Sequence, residues 1–231
     1  MRGKHSALIM MTRLPRPGRV KTRLAATVGD DEAAEFYRLC AEHLFRESER
    51  LPRPVWRYVF YADAEDADEV RAWAGGAFRY EPQPAGNLGR RLAAAFRTVF
   101  AQGARAAVVV GTDVPDLSAG IVEEALALLA RYPAVIGPDH EGGYYLLGMK
   151  MLYADLFLRD LAWGTNRVFG HTLRIMRDLD LVPAFLPVLV DVDNVGDLQR
   201  WLESRGGEKY GEDGERDALL RWGRRALRTV S

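Results

Sequence analysis

Residues 7–24 read ALIMMTRLPRPGRVKTRL, and this stretch opens an alternating pattern of strands and helices. Its apolar run, residues 7–10, predicts a first β-strand, and a helical pattern begins at its end. Two prolines and a glycine stiffen the turn between them, and the stretch carries five cations. Fixed cations and free backbone N–H groups converge where a basic turn meets a helix N-terminus. We therefore expect this turn to bind phosphate, and the candidate contacts are Arg13, Pro15, Gly18, Lys21 and Arg23.

The same charges also fit a solvated loop or a patch that binds nucleic acid. The chain carries 32 Lys and Arg residues against 32 Asp and Glu residues, so the excess of cations in the turn is local. A general nucleic-acid binder is more often basic as a whole, with aromatic residues among the cations. The charge balance thus favours a nucleotide diphosphate as ligand and argues against nucleic acid as a partner.

The bulk composition is that of a soluble globular protein. With 231 residues, the chain is long enough for one domain with a substantial core. No apolar run approaches the roughly 18 residues of a membrane span, and the run near the N-terminus is too short for a signal peptide. The single cysteine, Cys40, excludes an internal disulfide and belongs to an apolar helical face. We expect a cytoplasmic protein in which Cys40 is a core thiol.

Strand-like and helix-like segments alternate along the rest of the chain. Strands are predicted at 55–61, 106–111, 134–137, 144–148 and 181–190, and helices at 30–50, 67–73, 90–101, 118–130 and 168–178. This alternation is typical of an α/β sandwich with a mainly parallel sheet, whose ligands bind at the carboxyl ends of the strands. One domain is predicted over residues 1–203. Residues 204–231 predict a linker and an amphipathic helix that docks on the domain or on a partner subunit.

A carboxylate, Asp113, directly follows the apolar strand predicted at 106–111. Carboxylate oxygens are hard ligands that suit Mg²⁺ or Mn²⁺ when the ion also contacts phosphates. Asp113 could instead cap the next helix, although Asp116 or Ser118 could fill that position. Asp113 is therefore a candidate metal ligand.

Two further aspartates follow the last predicted strand. Their period-two spacing places Asp191 and Asp193 on the same face. Asp193 is the candidate second metal ligand, and Asp191 could be structural. A third aspartate, Asp197, is expected in the first turn of the following helix.

Residues 137–145 read GPDHEGGYY and predict a glycine-rich turn with three titratable side chains. Glycines let a backbone approach a ligand closely, and Glu141 could orient a hydroxyl group or act as a base. A tight hairpin explains the glycines equally well but does not explain the acids. The candidate catalytic residues are Glu141 and Asp139, and the candidate ligand contacts in this turn are Gly142, Gly143 and Tyr144.

Two other segments have an ambiguous pattern. Asn87 and Gly89 could contact a nucleotide or could begin a helix, and Trp163 and Thr165 could line an acceptor pocket, although a lone tryptophan is more often packing. The sequence contains no phosphate loop of the P-loop type, no dinucleotide fingerprint and no nucleophile elbow. These absences remove the common NTPase, dehydrogenase and hydrolase interpretations.

Six motifs together resemble a family of small bacterial glycosyltransferase-like proteins with the GT-A, or nucleotide-diphospho-sugar transferase, fold. Some members are known as arsenosugar-biosynthesis glycosyltransferases. In order, the motifs read PRPGRVKTRL (15–24), GNLGR (86–90), GTDVPDL (111–117), GPDHEGGYYLLG (137–148), WGT (163–165) and DVD (191–193). The resemblance covers residues from about 7 to 202. It implies a three-layer α/β/α sandwich with a mixed, mainly parallel sheet.

The resemblance also implies roles for individual residues. Lys21 and Arg23 would hold the diphosphate, Asp113 would bind the divalent ion, and Asp193 lies where related enzymes place a second ligand. The chain departs from the family at Glu141, usually Asp, at Gly164, usually Ser, and at Asn194-Val195, usually Thr-Pro. These departures concern the acceptor side more than the phosphate side.

The function predicted from these motifs is metal-dependent glycosyl transfer, with Mg²⁺ or Mn²⁺, from a nucleotide-diphospho-sugar to a small acceptor. Glu141 or Asp139 would be the base. One alternative is a nucleotidyltransferase that uses an NTP and a phosphorylated acceptor. A second alternative is a nucleotide-binding protein without activity, and a homodimer through the C-terminal helix is left open.

Overall fold

The computed structural model describes residues 5–52, 54–62, 67–76, 78–159, 163–205 and 215–230. The strands are β1 (Ser6–Thr12), β2 (Val55–Tyr61), β3 (Arg79–Pro82), β4 (Ala106–Gly111), β5 (Ala134–Pro138), β6 (Tyr144–Met149) and β7 (Ala184–Phe185). The helices are α1 (Thr22–Val28), α2 (Asp30–Glu49), α3 (Ala67–Ala74), α4 (Leu88–Ala101), α5 (Ala119–Leu128), α6 (Asp155–Leu158), α7 (Val168–Asp178), α8 (Val195–Glu203) and α9 (Glu215–Val230). The predicted alternation is therefore confirmed. Most of the predicted linker, residues 206–214, lies outside the part of the chain that the structure describes.

Within the described residues, the strands form one sheet in the order β3-β2-β1-β4-β6-β5-β7. Strand β6 is antiparallel to β4 and β5, and the other pairings are parallel. The sheet is thus mixed and mainly parallel, as predicted. Its central strand β4 is buried over Ala106–Val110, which fits a strand covered on both faces.

Two helical layers cover the sheet, and the period of two along β4 divides its side chains between them. Val108 and Val110 pack in a core with residues of α2, α3 and α5. Val109 packs on the opposite face, in a core with residues of α4, α6 and α7. The three-layer α/β/α sandwich is confirmed.

The predicted strand at 181–190 is wrong in extent. Strand β7 has two residues and pairs in parallel with β5, and a single further bridge joins Asp139 to Leu189. Pro183 and Pro187 flank the strand, and proline lacks the N–H group that a longer ladder requires. The segment still follows the edge of the sheet and delivers Asp191 and Asp193 to its carboxyl end.

The N-terminus of α5 is capped from a distance. The buried carboxylate of Glu47, on α2, accepts a hydrogen bond from the Ala119 N–H at 2.9 Å. Ser118 is the N-cap residue, but its side chain makes no capping hydrogen bond. Asp116 pairs instead with Arg205 at 2.6 Å. Asp113 is therefore not needed for capping.

Helix α9 packs on α1, α2 and α8 of the same chain. Trp222 is buried, and its Nε1 donates to Glu32 on α2 at 2.6 Å. Leu219 and Leu220 complete the same core with residues of α1 and α8. The C-terminal helix thus docks on its own domain, which is one of the two predicted alternatives.

Two further expectations concern the chain as a whole. Cys40 is fully buried, and burial raises the pKa of its thiol well above the usual value, so the prediction of a core thiol is confirmed. Among the described residues, no helix is both long enough and apolar enough to span a bilayer.

Candidate functional site

Three aspartates surround the ammonium group of Lys21. Lys21 Nζ lies 3.0 Å from Asp113 Oδ2, 2.8 Å from Asp191 Oδ1 and 2.8 Å from Asp193 Oδ1. The Lys21 side chain is only 3% exposed. We call these four residues the lysine–aspartate cluster.

The cluster is assembled from three separate parts of the chain. Asp113 follows the central strand, and Asp191 and Asp193 follow the edge segment that contains β7. Lys21 is the N-cap residue of α1 and has φ 44° and ψ 46°, in the left-handed region that non-glycine residues seldom adopt. The fold therefore maintains an unfavourable backbone conformation at the residue on which the three acids converge.

The proximity of the charges shifts the pKa values of the cluster. Burial alone would lower the pKa of Lys21, but the three carboxylates outweigh it and raise the pKa well above its usual value. Burial, reinforced by the neighbouring carboxylates, raises the pKa of Asp191 to about 7 in spite of Lys21. Burial also opposes ionisation of Asp193, yet Lys21 and Arg23 lower its pKa. The cluster thus contains more carboxylate than its buried cation can fully neutralise.

A cavity of about 550 Å³ opens beside the cluster, at the carboxyl ends of β1, β2, β3 and β4. We call it the basic cavity because guanidinium groups surround it. Its cationic lining consists of Arg13, Arg19, Lys21, Arg23 and Arg91. Four of these cations come from the turn that the sequence marked as basic, and Arg91 comes from α4.

A network of hydroxyl groups lies at the inner wall of the basic cavity. The Tyr37 hydroxyl lies 2.8 Å from Thr112 Oγ1 and 3.2 Å from Thr12 Oγ1, and it accepts a hydrogen bond from the Arg13 N–H at 3.2 Å. Burial, together with nearby Asp113, raises the pKa of Tyr37, so its phenol stays neutral. The network links α2 to the ends of β1 and β4, next to the predicted site residues Arg13 and Asp113.

A second cavity, of about 880 Å³, lies on the other side of the cluster. It shares Arg23, Leu88 and Asp193 with the basic cavity, so the two spaces adjoin. Its acidic lining consists of Asp139, Glu141, Asp191, Asp193 and Asp197, against the guanidinium groups of Arg23 and Arg200. We call it the acidic cavity. Tyr144 and Trp163 contribute aromatic surface to it.

The two candidate bases differ in their surroundings. Asp139 Oδ1 accepts hydrogen bonds from the N–H groups of Glu141 and Gly143, both at 2.8 Å, so it shapes the turn. The Glu141 side chain is 38% exposed, and its nearest cation is Arg23 Nη1 at 3.9 Å. Glu141 is therefore the freer of the two carboxylates.

Two glycines of the motifs are required by packing. A Cβ at Gly89 would lie 2.4 Å from the Phe157 carbonyl oxygen and 2.6 Å from Trp163 Nε1. Gly142 has φ 91°, and a Cβ there would lie 2.2 Å from the Asn166 carbonyl oxygen. Both positions let neighbouring segments close on the wall of the acidic cavity.

The remaining predicted residues divide between lining and support. Gly143 and Thr165 line the acidic cavity. Asn87 caps α4, because its side chain accepts from the Arg90 N–H at 3.0 Å. Pro15 and Gly18 are not among the lining residues of either cavity; they shape the basic turn, where Gly18 has φ 71°.

Asp197 stabilises the loop that carries Asp193. It is 2% exposed, and its Oδ2 accepts from the N–H groups of Asp193 and Asn194, both at 3.1 Å. Its Oδ1 lies 3.0 Å from His140 Nε2 and 3.1 Å from Arg200 Nη1. Asp197 lies in the first turn of α8, as predicted, and forms a capping box with Asn194.

Several lining residues were not predicted from the sequence. They are Thr12, Arg19, Tyr37, Gln83, Arg91 and Thr112 in the basic cavity, and His140 and Arg200 in the acidic cavity. Gln83 is an example of a supporting residue, because its Nε2 donates to the carbonyl oxygens of Thr12 and Phe60 at 3.1 and 2.7 Å. Arg19, Thr112 and His140 lie within the six motifs, which are therefore the sequence signal for these three residues.

The family predicted from the six motifs is confirmed by comparison with known proteins. Residues 49–165 match the family described as "Uncharacterized protein conserved in bacteria (DUF2064)", and the chain belongs to this family. No protein of curated function matches the sequence.

Solved structures share the fold. A protein from Desulfovibrio desulfuricans G20, provisionally named a nucleotide-diphospho-sugar transferase, is 32% identical, with a TM-score of 0.88 over 97% of each chain. CMP:2-keto-3-deoxy-manno-octonic acid synthetase, solved with CTP, is 10% identical, with a TM-score of 0.56 over 85% of this chain and 96% of that chain. 4-Diphosphocytidyl-2C-methyl-D-erythritol synthase from Anaerococcus prevotii DSM 20548 is 12% identical, with a TM-score of 0.51 over 79% of this chain and 86% of that chain. The last two are similar to this chain in fold alone.

Proposed function

We propose that this protein is a divalent-metal-dependent glycosyltransferase that moves a sugar from a nucleotide-diphospho-sugar to a small hydroxyl-bearing acceptor. One observation carries the proposal: a basic cavity and an acidic cavity adjoin at the carboxylates of the lysine–aspartate cluster. Sugar transfer needs cations around the leaving diphosphate and polar surface around the sugar and acceptor. The similarity to the Desulfovibrio desulfuricans protein supports the same reaction class.

The basic cavity is suited to the leaving nucleoside diphosphate. Arg13, Arg19 and Arg91 contribute fixed positive charge to its walls, and Arg23 stands at the boundary with the acidic cavity. Cations that are in place before the reaction stabilise charge as it develops on the leaving group. Arg23 is therefore the side chain best placed to follow the diphosphate as its bond to the sugar breaks.

The chemistry of the cluster suits Mg²⁺ or Mn²⁺. The oxygen atoms of Asp113, Asp191 and Asp193 lie within 4.8 Å of one another, and a cation, the Lys21 ammonium, already lies among them. Hard carboxylate oxygens are the donors that these ions prefer. Asp113 and Asp193 would hold the ion with Asp191 as a third donor, and the ion would supply Lewis-acid neutralisation of the departing diphosphate.

The acidic cavity is suited to the sugar and the acceptor. Tyr144 and Trp163 offer aromatic faces for a sugar ring. The indole Nε1 of Trp163 is buried against Gly89, so the tryptophan would offer the cavity its ring surface and not its N–H group. Glu141 is the candidate base for the acceptor hydroxyl, because Asp139 is held by two backbone N–H groups.

Nucleotidyl transfer is the second candidate. One structure with this fold was solved with CTP, and another is named a 4-diphosphocytidyl-2C-methyl-D-erythritol synthase. That reaction would bring a phosphorylated acceptor into the acidic cavity. Five carboxylates line this cavity, from Asp139, Glu141, Asp191, Asp193 and Asp197, against two guanidinium groups. Like charges would repel an acceptor phosphate, so a neutral acceptor is favoured.

The test is a thermal-shift panel of nucleotide-diphospho-sugars, nucleoside diphosphates and NTPs, each with and without Mn²⁺. It compares wild type, Asp113→Asn and the matched control Asp155→Asn, which changes an exposed aspartate that pairs with Arg159. We expect Mn²⁺-dependent stabilisation by one nucleotide-diphospho-sugar and its diphosphate, retained in the control and lost in Asp113→Asn. Product analysis with that donor then separates transfer from silent binding.

Other outcomes of the panel would count against the proposal. Stabilisation by an NTP but by no nucleotide-diphospho-sugar would favour nucleotidyl transfer. If Asp113→Asn is stabilised by Mn²⁺ and nucleotide as much as wild type, Asp113 is not a metal ligand. A panel with no response to any nucleotide would overturn the assignment of the basic cavity.

A further inference from the structure

Lys21 occupies the position among the three aspartates that a metal ion would need. Its Nζ contacts all three carboxylates at 2.8 to 3.0 Å, as a bound cation would, and the side chain is almost fully buried. An ammonium group and a metal ion cannot both fill the space between the same oxygen atoms. Lys21 and a divalent ion held by these same three oxygen atoms therefore exclude each other.

The charges favour replacement of the ammonium by a divalent ion. The buried cation of the cluster has a single charge. Arg23, the other nearby cation, is largely exposed and pairs with Asp193, at 3.3 Å, but with neither Asp113 nor Asp191 within 4 Å. A divalent ion doubles the charge that faces the three carboxylates, and Coulomb attraction rises in proportion. The ammonium of lysine lies at the end of a flexible stem, so it can leave without movement of the backbone.

The basic cavity provides the place to which Lys21 can move. Lys21 lines this cavity as well as the cluster, and the cavity holds the cations proposed to bind diphosphate. Within the cluster, the Lys21 ammonium is held by acids and contributes little to the binding of an anion. Outside the cluster, the same ammonium would be a further phosphate-binding cation.

We propose that Lys21 is an exchangeable cation: it pairs with the three aspartates until a divalent ion replaces it, and its ammonium then moves into the basic cavity to bind the diphosphate. This inference rests on the proposed function, because it requires that a divalent ion bind at the lysine–aspartate cluster. Its consequence is that the metal ion and the nucleotide bind cooperatively, since the first releases a cation for the second.

The first experiment uses the wild-type protein and the reactivity of lysine. The chain contains four lysines, and exposed Lys150 is the internal reference. Reductive methylation with formaldehyde is followed by peptide mass spectrometry, with and without Mn²⁺ at a concentration that saturates binding by calorimetry. We expect Lys21 to react far more slowly than Lys150 without Mn²⁺, and several-fold faster once Mn²⁺ is present, while Lys150 is unchanged.

The second experiment measures the affinity for Mn²⁺ alone, by calorimetry, in wild type, Lys21→Met and Arg19→Met. Both variants remove one cation from the lining of the basic cavity, but only Lys21 touches the aspartates. We expect Lys21→Met to bind Mn²⁺ several-fold more tightly than wild type, because no ammonium has to be displaced, and Arg19→Met to resemble wild type.

Each result separates the exchange from the proposed function. If Mn²⁺ binds and Lys21 stays unreactive, or if Lys21→Met binds no more tightly than Arg19→Met, the exchange is wrong while metal dependence stands. If neither wild type nor Lys21→Met binds Mn²⁺, both the exchange and the metal dependence are overturned. The labelling experiment decides the question even if Lys21→Met does not fold.

Discussion

The three half-buried aspartates around Lys21 and the buried carboxylate of Asp197 lie close together but are satisfied in different ways. Asp197 is held by the backbone N–H groups of Asp193 and Asn194, and its other oxygen contacts His140 and Arg200. The carboxylates of the cluster converge on one ammonium at the end of a flexible side chain. The backbone donors of Asp197 are fixed in place, whereas the ammonium of Lys21, which the three aspartates share, is mobile.

This difference distinguishes a structural carboxylate, Asp197, from the carboxylates of the candidate site. A carboxylate that accepts backbone hydrogen bonds can lose them only if the chain itself moves, so Asp197 determines the shape of the loop before α8. Carboxylates satisfied by a mobile side chain keep a fixed geometry and can exchange their partner. The following substitutions test the contrast, and their expected effects decrease from the first to the last.

Asp197→Ala should have the largest effect and lower the free energy of unfolding by about 3–5 kcal/mol. It leaves the N–H groups of Asp193 and Asn194 and the ring of His140 without their acceptor, and an unsatisfied buried donor costs about 1–3 kcal/mol. Urea unfolding followed by circular dichroism measures the change. Asp155→Ala, at an exposed ion pair with Arg159, is the control and should be close to wild type. A loss below about 1 kcal/mol for Asp197→Ala would mean that the loop does not depend on this side chain.

Asp113→Asn should leave the free energy of unfolding within about 1 kcal/mol of wild type, because it keeps the shape and removes one of three like charges. The same substitution should weaken Mn²⁺ binding by about 100-fold or more, since even partners outside the metal shell cost about 10–100-fold. Calorimetry and urea unfolding of one preparation give both values. A large loss of stability with unchanged Mn²⁺ affinity would reverse the proposed division of roles.

Tyr37→Phe should lower the free energy of unfolding by about 1–2 kcal/mol, because it leaves the Arg13 N–H and two threonine hydroxyls without their shared partner. Tyr145→Phe is the matched control, since its hydroxyl makes one hydrogen bond, to the Pro187 carbonyl. Thermal and urea unfolding compare the two variants. Equal losses would indicate that the hydroxyl network adds nothing beyond one bond.

Arg200→Ala should have the smallest effect, below about 1 kcal/mol, because its side chain is 56% exposed and a solvated ion pair contributes little. Asp197 would keep both backbone donors and His140. Urea unfolding beside Asp197→Ala makes the comparison direct. A loss as large as that of Asp197→Ala would mean that side-chain charge, and not the backbone, fixes this carboxylate.

The sequence predicted those features that depend on neighbours along the chain. The apolar run of β4 is buried on both faces, and Asp113 follows the carboxyl end of this central strand. The basic turn is local too, and four of its cations line one cavity. The strand predicted at 181–190 was too long, because the prediction followed the apolar residues of this segment and not the two prolines that interrupt it.

Features that join distant parts of the chain were not predictable from the pattern. Lys21 and Asp193 are 172 positions apart, so the sequence shows two candidate site residues but not their contact. Tyr37 lies within the helix predicted at 30–50, and its hydroxyl reaches Thr112, 75 positions away. Such contacts arise only once the layers are packed.

The packing of α9 affects how the site is completed during synthesis. Leu24, just after the basic turn, and Val192, between two aspartates of the cluster, belong to one core with Leu219 and Trp222 of α9. A ribosome makes the chain from its N-terminus, at about 5–20 residues per second. The central strands can therefore pair before α9 is made, whereas the basic turn and the last aspartates gain their full support only after α9 has emerged.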